Sequence, residues 1–271
     1  MVAVEDHLSS LVVDRVTVAP VVPLAVRGLT VRYGAVTAVG GVSLTVSAGD
    51  VVGLVGPNGC GKTSSFRAVM GLVQPHAGAV TVAGAPAGSI QARARVAWVP
   101  DEPNGLGELA LDELLSLTGA LYRADRGYEA RCATLLEAFE LDGRRRACLG
   151  ALSHGLRRIA AVVAAAALDR PLLLVDEATA ALDPHAVIAL RETLRALARR
   201  GAGVLIATQD LHFAERVCDR VALLSAGRLV AAGSIEQLRK DYASKSLEDA
   251  FVAAVGTGQQ LQRLRSALDT L

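Results

Sequence analysis

Val51-Val52-Gly53-Leu54-Val55-Gly56-Pro57-Asn58-Gly59-Cys60-Gly61-Lys62-Thr63 is the stretch that decides the fold. The apolar run from Asp50 to Val55 reads as a short buried strand. It breaks on a glycine-rich turn, Gly56 to Gly61, and helical spacing follows from Lys62 to about Met70. Gly56 to Thr63 fits the pattern G-x-x-x-x-G-K-S/T in the strand, turn, helix context that a phosphate-binding loop needs. Glycines let the backbone bend until successive N–H groups point inward, and the N-terminus of the next helix adds partial positive charge. Gly56, Asn58, Gly59, Cys60 and Gly61 are therefore expected to wrap the phosphates of a nucleotide. Lys62 would bridge the β- and γ-phosphates, Thr63 would offer its hydroxyl to Mg²⁺, and Ser64 is placed for the α-phosphate.

A second chemical feature lies further along, where Leu172-Leu173-Leu174-Val175 ends on Asp176-Glu177. In a parallel α/β sheet, ligands bind beyond the carboxyl ends of the strands, so two carboxylates emerging from a buried strand are well placed. Asp176 would hold Mg²⁺. Glu177 would orient and deprotonate an attacking water, because phosphoryl transfer asks chiefly for positioning and charge stabilisation. Without the phosphate loop, the same pair would read as a solvated strand end.

Between and around these features the chain alternates strands and helices. Leu24 to Val31 and Val42 to Val46 alternate apolar and polar residues, as half-buried strands do, and Ala79 to Val82 and Val96 to Val99 are further strands. Leu111 to Tyr122 and Glu129 to Phe139 read as a helical insert. After it come helix 154–168, the strand at Leu172, helix 185–200, strand Val204 to Thr208, helix 211–217, and two short strands, Val221 to Leu224 and Arg228 to Ala231. Such alternation implies a largely parallel central sheet. Asp183-Pro184 is a good cap and first-turn pair, and Ser234 with Gln237 resembles a capping box.

Bulk properties narrow the partners. With 28 Lys and Arg against 27 Asp and Glu, no overall charge argues for nucleic acid or an acidic surface. The four cysteines, Cys60, Cys132, Cys148 and Cys218, show no metal-ligand spacing, which suits a reduced cytoplasmic chain. The apolar run Ile159 to Leu168 stops at Asp169, well short of the roughly 18 to 20 residues that span a bilayer. Glu5, Asp6 and His7 do not suit a secretory signal. The expected organisation is an accessory arm over 1–22, a nucleotide-binding domain over 23–251 and a tail over 252–271.

Leu152-Ser153-His154-Gly155-Leu156 lies about twenty residues before the acidic pair, ahead of an Ala-rich helix. Read alone it is a turn and a helix cap. In this setting it resembles the LSGGQ signature of ATP-binding-cassette (ABC) ATPases, and the likeness runs from about Leu24 to Phe251 with motifs in that family's order. The resemblance implies an α/β fold: a P-loop NTPase (RecA-like) core with an antiparallel β subdomain and a helical signature subdomain at about 104–165. It implies ATP and Mg²⁺ as ligands, with Tyr33 stacking on adenine and the Ala181-Leu182-Asp183 loop communicating between sites. It further implies a second cassette, identical or not, docked head to tail so that Ser153 and Gly155 of one chain close over ATP held by the other. A separate transmembrane permease would meet the helical subdomain near 101–109 and hold the chain on the inner membrane face. The ending Ser246 to Phe251 resembles that of subunits serving drug or polysaccharide exporters; it also reads as an amphipathic helix packed on the domain.

Three positions depart from the family pattern. Asp101 stands after Val96-Ala97-Trp98-Val99-Pro100, where Gln or Glu usually faces Mg²⁺ and the attacking water; its carboxylate is expected to bind the metal's water shell, reaching less far than Gln would. Gln209 stands where a histidine usually contacts the γ-phosphate, and it can donate a hydrogen bond but carries no charge. Cys60 sits by the positive end of a helix, which tends to lower a thiol's pKa; it is either redox-sensitive or a small residue tolerated there. The leading expectation is a transport ATPase whose turnover is slowed by Gln209 while ATP binding is retained. The alternative is a nucleotide-gated dimerising module that scarcely hydrolyses ATP, the weaker half of a mixed pair.

Overall fold

In a computed structural model, which describes residues 21–101, 106–177 and 179–256, two sheets face each other across helix α1. The first is antiparallel and four-stranded, in the order β2-β1-β4-β5, with β1 Leu24–Tyr33, β2 Val36–Val46, β4 Ala77–Val82 and β5 Ala85–Pro86. The second has six strands in the order β10-β9-β3-β8-β7-β6. They are β3 Val51–Val55, β6 Val96–Val99, β7 Leu172–Asp176, β8 Gly203–Thr208, β9 Arg220–Ser225 and β10 Arg228–Ser234. Five of them run parallel, and β10 returns antiparallel along β9. The largely parallel sheet expected from the strand and helix rhythm is present.

The periodicity of two explains how both faces of that sheet are used. Along β7, Leu172 and Leu174 point toward α1 (Lys62–Val69) and the first sheet, whereas Leu173 and Val175 point into the second core. Strands covered on both sides read as continuous apolar runs. The first core centres on Phe66, fully buried, with Leu24, Leu29 and Leu54 around it. The second packs α3 (Leu111–Leu121), α4 (Tyr128–Ala138), α5 (His154–Ala166), α6 (Pro184–Arg199) and α7 (Leu211–Val217) onto the other face.

Several boundaries differ from the sequence expectation for physical reasons. β1 continues to Tyr33 and β2 begins at Val36, because Gly34, at φ +58°, closes a tight hairpin that pattern counting missed. The two-residue β5 and α2 (Ile90–Arg93) are too short for any periodicity to reveal. Ser234 does accept from Gln237 N at the start of α8 (Ile235–Asp241), but the Gln237 amide turns to Asp241, so the box is not reciprocal. The segment from Ser246 becomes α9 (Leu247–Val255), which buries Leu247 and Ala250 against the domain and runs past Phe251. Most of the 1–22 arm and of the 252–271 tail lies outside the described residues. Among those described, no helix is long and apolar enough to cross a membrane.

Candidate functional site

Strand order assembles the site. β3, β8 and β7 are adjacent and parallel, with Val55 paired to Thr208 and Asp176 to Ala207, so all three end at one edge. Two backbone bonds carry this alignment past the strand ends: Gly56 N donates to Thr208 O (3.2 Å) and Glu177 N to Ala207 O (2.8 Å). The glycine-rich loop, the acidic pair and Gln209 are thereby neighbours, although 115 residues separate Lys62 from Glu177. β6 adds Asp101 beside them, since Val99 pairs with Val175.

In the loop, Pro57, Asn58 and Gly59 form an exposed tip, while Cys60, Gly61 and Lys62 are buried. Gly61 caps α1 at φ +108°, and a Cβ there would stand 2.4 Å from the Ala38 carbonyl. That approach brings β2 near its start against the loop, and half-exposed Tyr33 ends the strand paired with it. Gly61→Ala combines a left-handed backbone with a clash against fixed main chain. It is expected to cost about 2–4 kcal/mol, read as a lowered melting temperature.

Lys62 Nζ donates to the carbonyls of Gly56 (2.8 Å) and Pro57 (3.2 Å) and pairs with Glu177 Oε1 at 3.0 Å. Glu177 Oε2 accepts from Gln209 N at 3.3 Å. Gln209 thus touches the acid through its backbone, and its side chain is exposed. Asp176 is fully buried, and neither of its oxygens has a hydrogen-bond partner. Burial pushes its carboxyl up to about 6. The nearby Thr63 hydroxyl and Lys62 oppose that shift, while the Asp101 and Glu177 charges add to it. Two orphaned carboxylate oxygens beside a threonine hydroxyl are the hard oxygen donors that Mg²⁺ takes, so these residues fit the ion.

The Asp101 carboxylate is not free: Arg158 Nη2, from α5, holds it at 3.0 Å and also donates to its backbone carbonyl. Sequence reasoning missed Arg158, because one arginine of an Arg157-Arg158 pair on a helix carries no distinguishing signal. The expectation of a lowered Cys60 pKa is corrected, since burial raises it and outweighs the lowering effects of Lys62 and nearby backbone N–H groups. Its burial and the raised pKa favour the reading of Cys60 as a small residue tolerated in the loop.

The remaining candidates are held by contacts outside this cluster. Ser153 caps α5, accepting from Leu156 N at 3.3 Å, and is exposed. A Cβ on Gly155 would lie 2.4 Å from Ala181 O, so that glycine lets α5 close on the 179–183 turn. Asp183 caps α6 through Ala186 N at 2.8 Å, as the Asp-Pro pair suggested. No described hydrogen bond or ion pair joins Ser153, Gly155, Asp183 or Tyr33 to the phosphate loop within this chain.

Comparison with known proteins agrees with this geometry. Residues 39–180, just over half of the chain, match the family described as ABC transporter. Nod factor export ATP-binding protein I of Rhizobium meliloti (strain 1021) is 38% identical over 217 residues, covering 79% of this chain; the chain spans 65% of that protein's length. The protein of the same name from Burkholderia lata is 37% identical over 218 residues, covering 79% of this chain and 72% of that one. Among solved structures, an ATP-binding subunit of an ABC transporter superposes with a TM-score of 0.81 at 32% identity, over 86% of this chain and 99% of that one. A nucleotide-free ATP-binding cassette at 19% identity, TM-score 0.71, shares the fold. With its phosphate loop, acidic strand end and signature turn inside this match, the chain belongs to the ABC transporter family.

Proposed function

We propose that the chain binds and hydrolyses ATP as the motor subunit of a transporter, driving export through a separate transmembrane permease. One observation carries this reading: Lys62 and the Asp176-Glu177 pair converge at the common edge of β3, β8 and β7. The loop N–H groups from Gly56 to Gly61 would cradle the phosphates, and Lys62 would exchange its loop carbonyls for β- and γ-oxygens. Thr63 and Asp176 would hold Mg²⁺, which supplies charge neutralisation across the β- and γ-phosphates when bound. Ser64 would reach the α-phosphate and Tyr33 the adenine. Glu177 would orient a water and accept its proton, turned toward the loop by a backbone at φ +46°.

Ser153, Gly155 and Asp183 lie outside the chain's own loop site, which supports a partner cassette docked head to tail, with these residues completing the partner's site. The direction of transport follows the names of the relatives, which are those of export proteins. A permease would dock at an apolar cleft of about 240 Å³ lined by Trp98, Leu106, Leu114 and Tyr122; Tyr122 also borders a second cleft lined by Ile90 and Leu121, which are 83% and 71% exposed. Docking there would place the chain peripherally on the inner membrane face.

Two observations favour the second reading, a nucleotide-gated module with little hydrolysis. Asp101 is engaged by Arg158, and Gln209 presents no cation to a γ-phosphate. Gln209→His separates the two. If turnover is limited by that missing group, the steady-state Mg²⁺-ATP hydrolysis rate is expected to rise about tenfold, with ATP affinity changed little. An unaltered low rate in both proteins would favour the gated module.

A further inference from the structure

Arg158 lies in the second turn of α5, four residues beyond the helix's first residue, and its guanidinium reaches back across the core to the end of β6. It is only 11% exposed, against 47% for Asp101. Nη2 grips Asp101 at two points, carboxylate and carbonyl, while Nη1 is buried without a partner. An arginine buried this deeply is retained at a cost unless it neutralises something. Its partner is one of three acids gathered at the strand edge among the described residues, Asp101, Asp176 and Glu177, and the Asp101 charge is felt at Asp176. Lys62 answers Glu177. Arg158 is the second cation among the described contacts of this cluster.

We propose that Arg158 is a positioning residue of the nucleotide site: its fork fixes Asp101 at the end of β6 and cancels its charge, as Lys62 does that of Glu177, leaving Asp176 as the uncompensated acid of this cluster among the described residues. This rests on the ATP-binding reading above. The pair is electrically neutral as a unit, so breaking it from either side has opposite consequences. Removing Arg158 strips the compensation from an acid beside a polyanion's site. Removing the Asp101 charge leaves an uncompensated cation there.

The test is a double-mutant cycle on Mg²⁺-free ATP affinity, with EDTA present and Trp98 fluorescence as the readout. Arg158→Gln is expected to weaken binding about 3- to 10-fold, and Asp101→Asn to tighten it by a similar factor. The double variant is expected to return within about twofold of the parent. Both single effects shrink as salt is raised from low to physiological strength, which a packing defect would not reproduce. If the double variant matches Arg158→Gln, or if neither single change moves the affinity, Arg158 is a structural tie and the proposal fails. Should Arg158→Gln not fold, Asp101→Asn decides alone: salt-sensitive tightening supports the proposal and unchanged affinity overturns it. A parent chain that binds no ATP overturns the nucleotide reading itself, whereas binding by the parent with a flat cycle overturns only the role of Arg158.

Discussion

Glu177→Gln is expected to cut Mg²⁺-ATP hydrolysis by at least about a hundredfold while ATP binds at least as tightly as to the parent chain. Glu177 is the first residue beyond β7, tethered by its N–H to Ala207 O at 2.8 Å. Its backbone, at φ +46°, is one that a non-glycine residue adopts at a cost of about 1 kcal/mol or more. The tether and the Lys62 and Gln209 contacts hold it there, with the carboxylate turned onto the phosphate loop. Glutamine keeps the shape and loses both the charge and the ability to take a proton from water. It also dissolves the ion pair with Lys62, so the ammonium no longer has to be won from a carboxylate by the incoming phosphates. Phosphate release and Trp98 fluorescence, measured on the same preparations, report the two effects separately. Turnover within a fewfold of the parent would remove Glu177 from the chemistry. Lost binding would make the Lys62–Glu177 pair a structural element of the loop.

How far such a site can be read from sequence depends on how local its causes are. The strand, loop and helix from Val51 to Val69 are legible because each step is set by neighbours in the chain: an apolar run, glycines where the backbone must bend, and a helix start at Lys62. The caps at Ser153, Asp183 and Ser234 are legible for the same reason, since the accepting oxygen and the donor are three residues apart. The Lys62–Glu177 pair is not, because it exists only through the order β3-β8-β7, which inserts a strand from late in the chain between two earlier ones. Arg158 and Asp101 meet for a similar reason, 57 residues apart, where α5 crosses the end of β6. Cys60 shows a local rule losing to a tertiary one. Proximity to a helix N-terminus argues for a lowered pKa, but the thiol is packed under the strand edge and 3% exposed, so burial decides the sign.

Asp176→Asn is expected to move stability and catalysis in opposite directions. The carboxylate is fully buried with both oxygens unpartnered, and its pKa stands at about 6 against an ordinary 3.8. The folded chain therefore holds this proton more tightly than the unfolded chain does. Its contribution to stability rises as pH falls through 6 and levels off below 3.8; as pH rises through 6 it is lost. Two pH units correspond to at most about 3 kcal/mol of strain at neutral pH. Asparagine removes the charge but leaves a buried amide short of partners, so a net gain of about 1–2 kcal/mol is expected. For a domain of this size that is roughly 2–8 °C in melting temperature. The gain should appear at pH 7.5 and vanish near pH 5, where the parent's acid is largely protonated. The same substitution is expected to lower Mg²⁺-ATP hydrolysis by about a hundredfold or more, since a neutral amide is a poor ligand for a hard cation. With saturating Mg²⁺ and ATP the stability order is expected to invert, because the parent alone gains the full binding energy. Melting curves at the two pH values, with and without Mg²⁺-ATP, test every part of this. A parent chain more stable than the variant at pH 7.5 without ligand would mean that Asp176 has a structural partner, and its place at the metal position would have to be given up. Inversion on adding Mg²⁺-ATP would identify the strained carboxylate as one kept for its ligand at the expense of the resting fold.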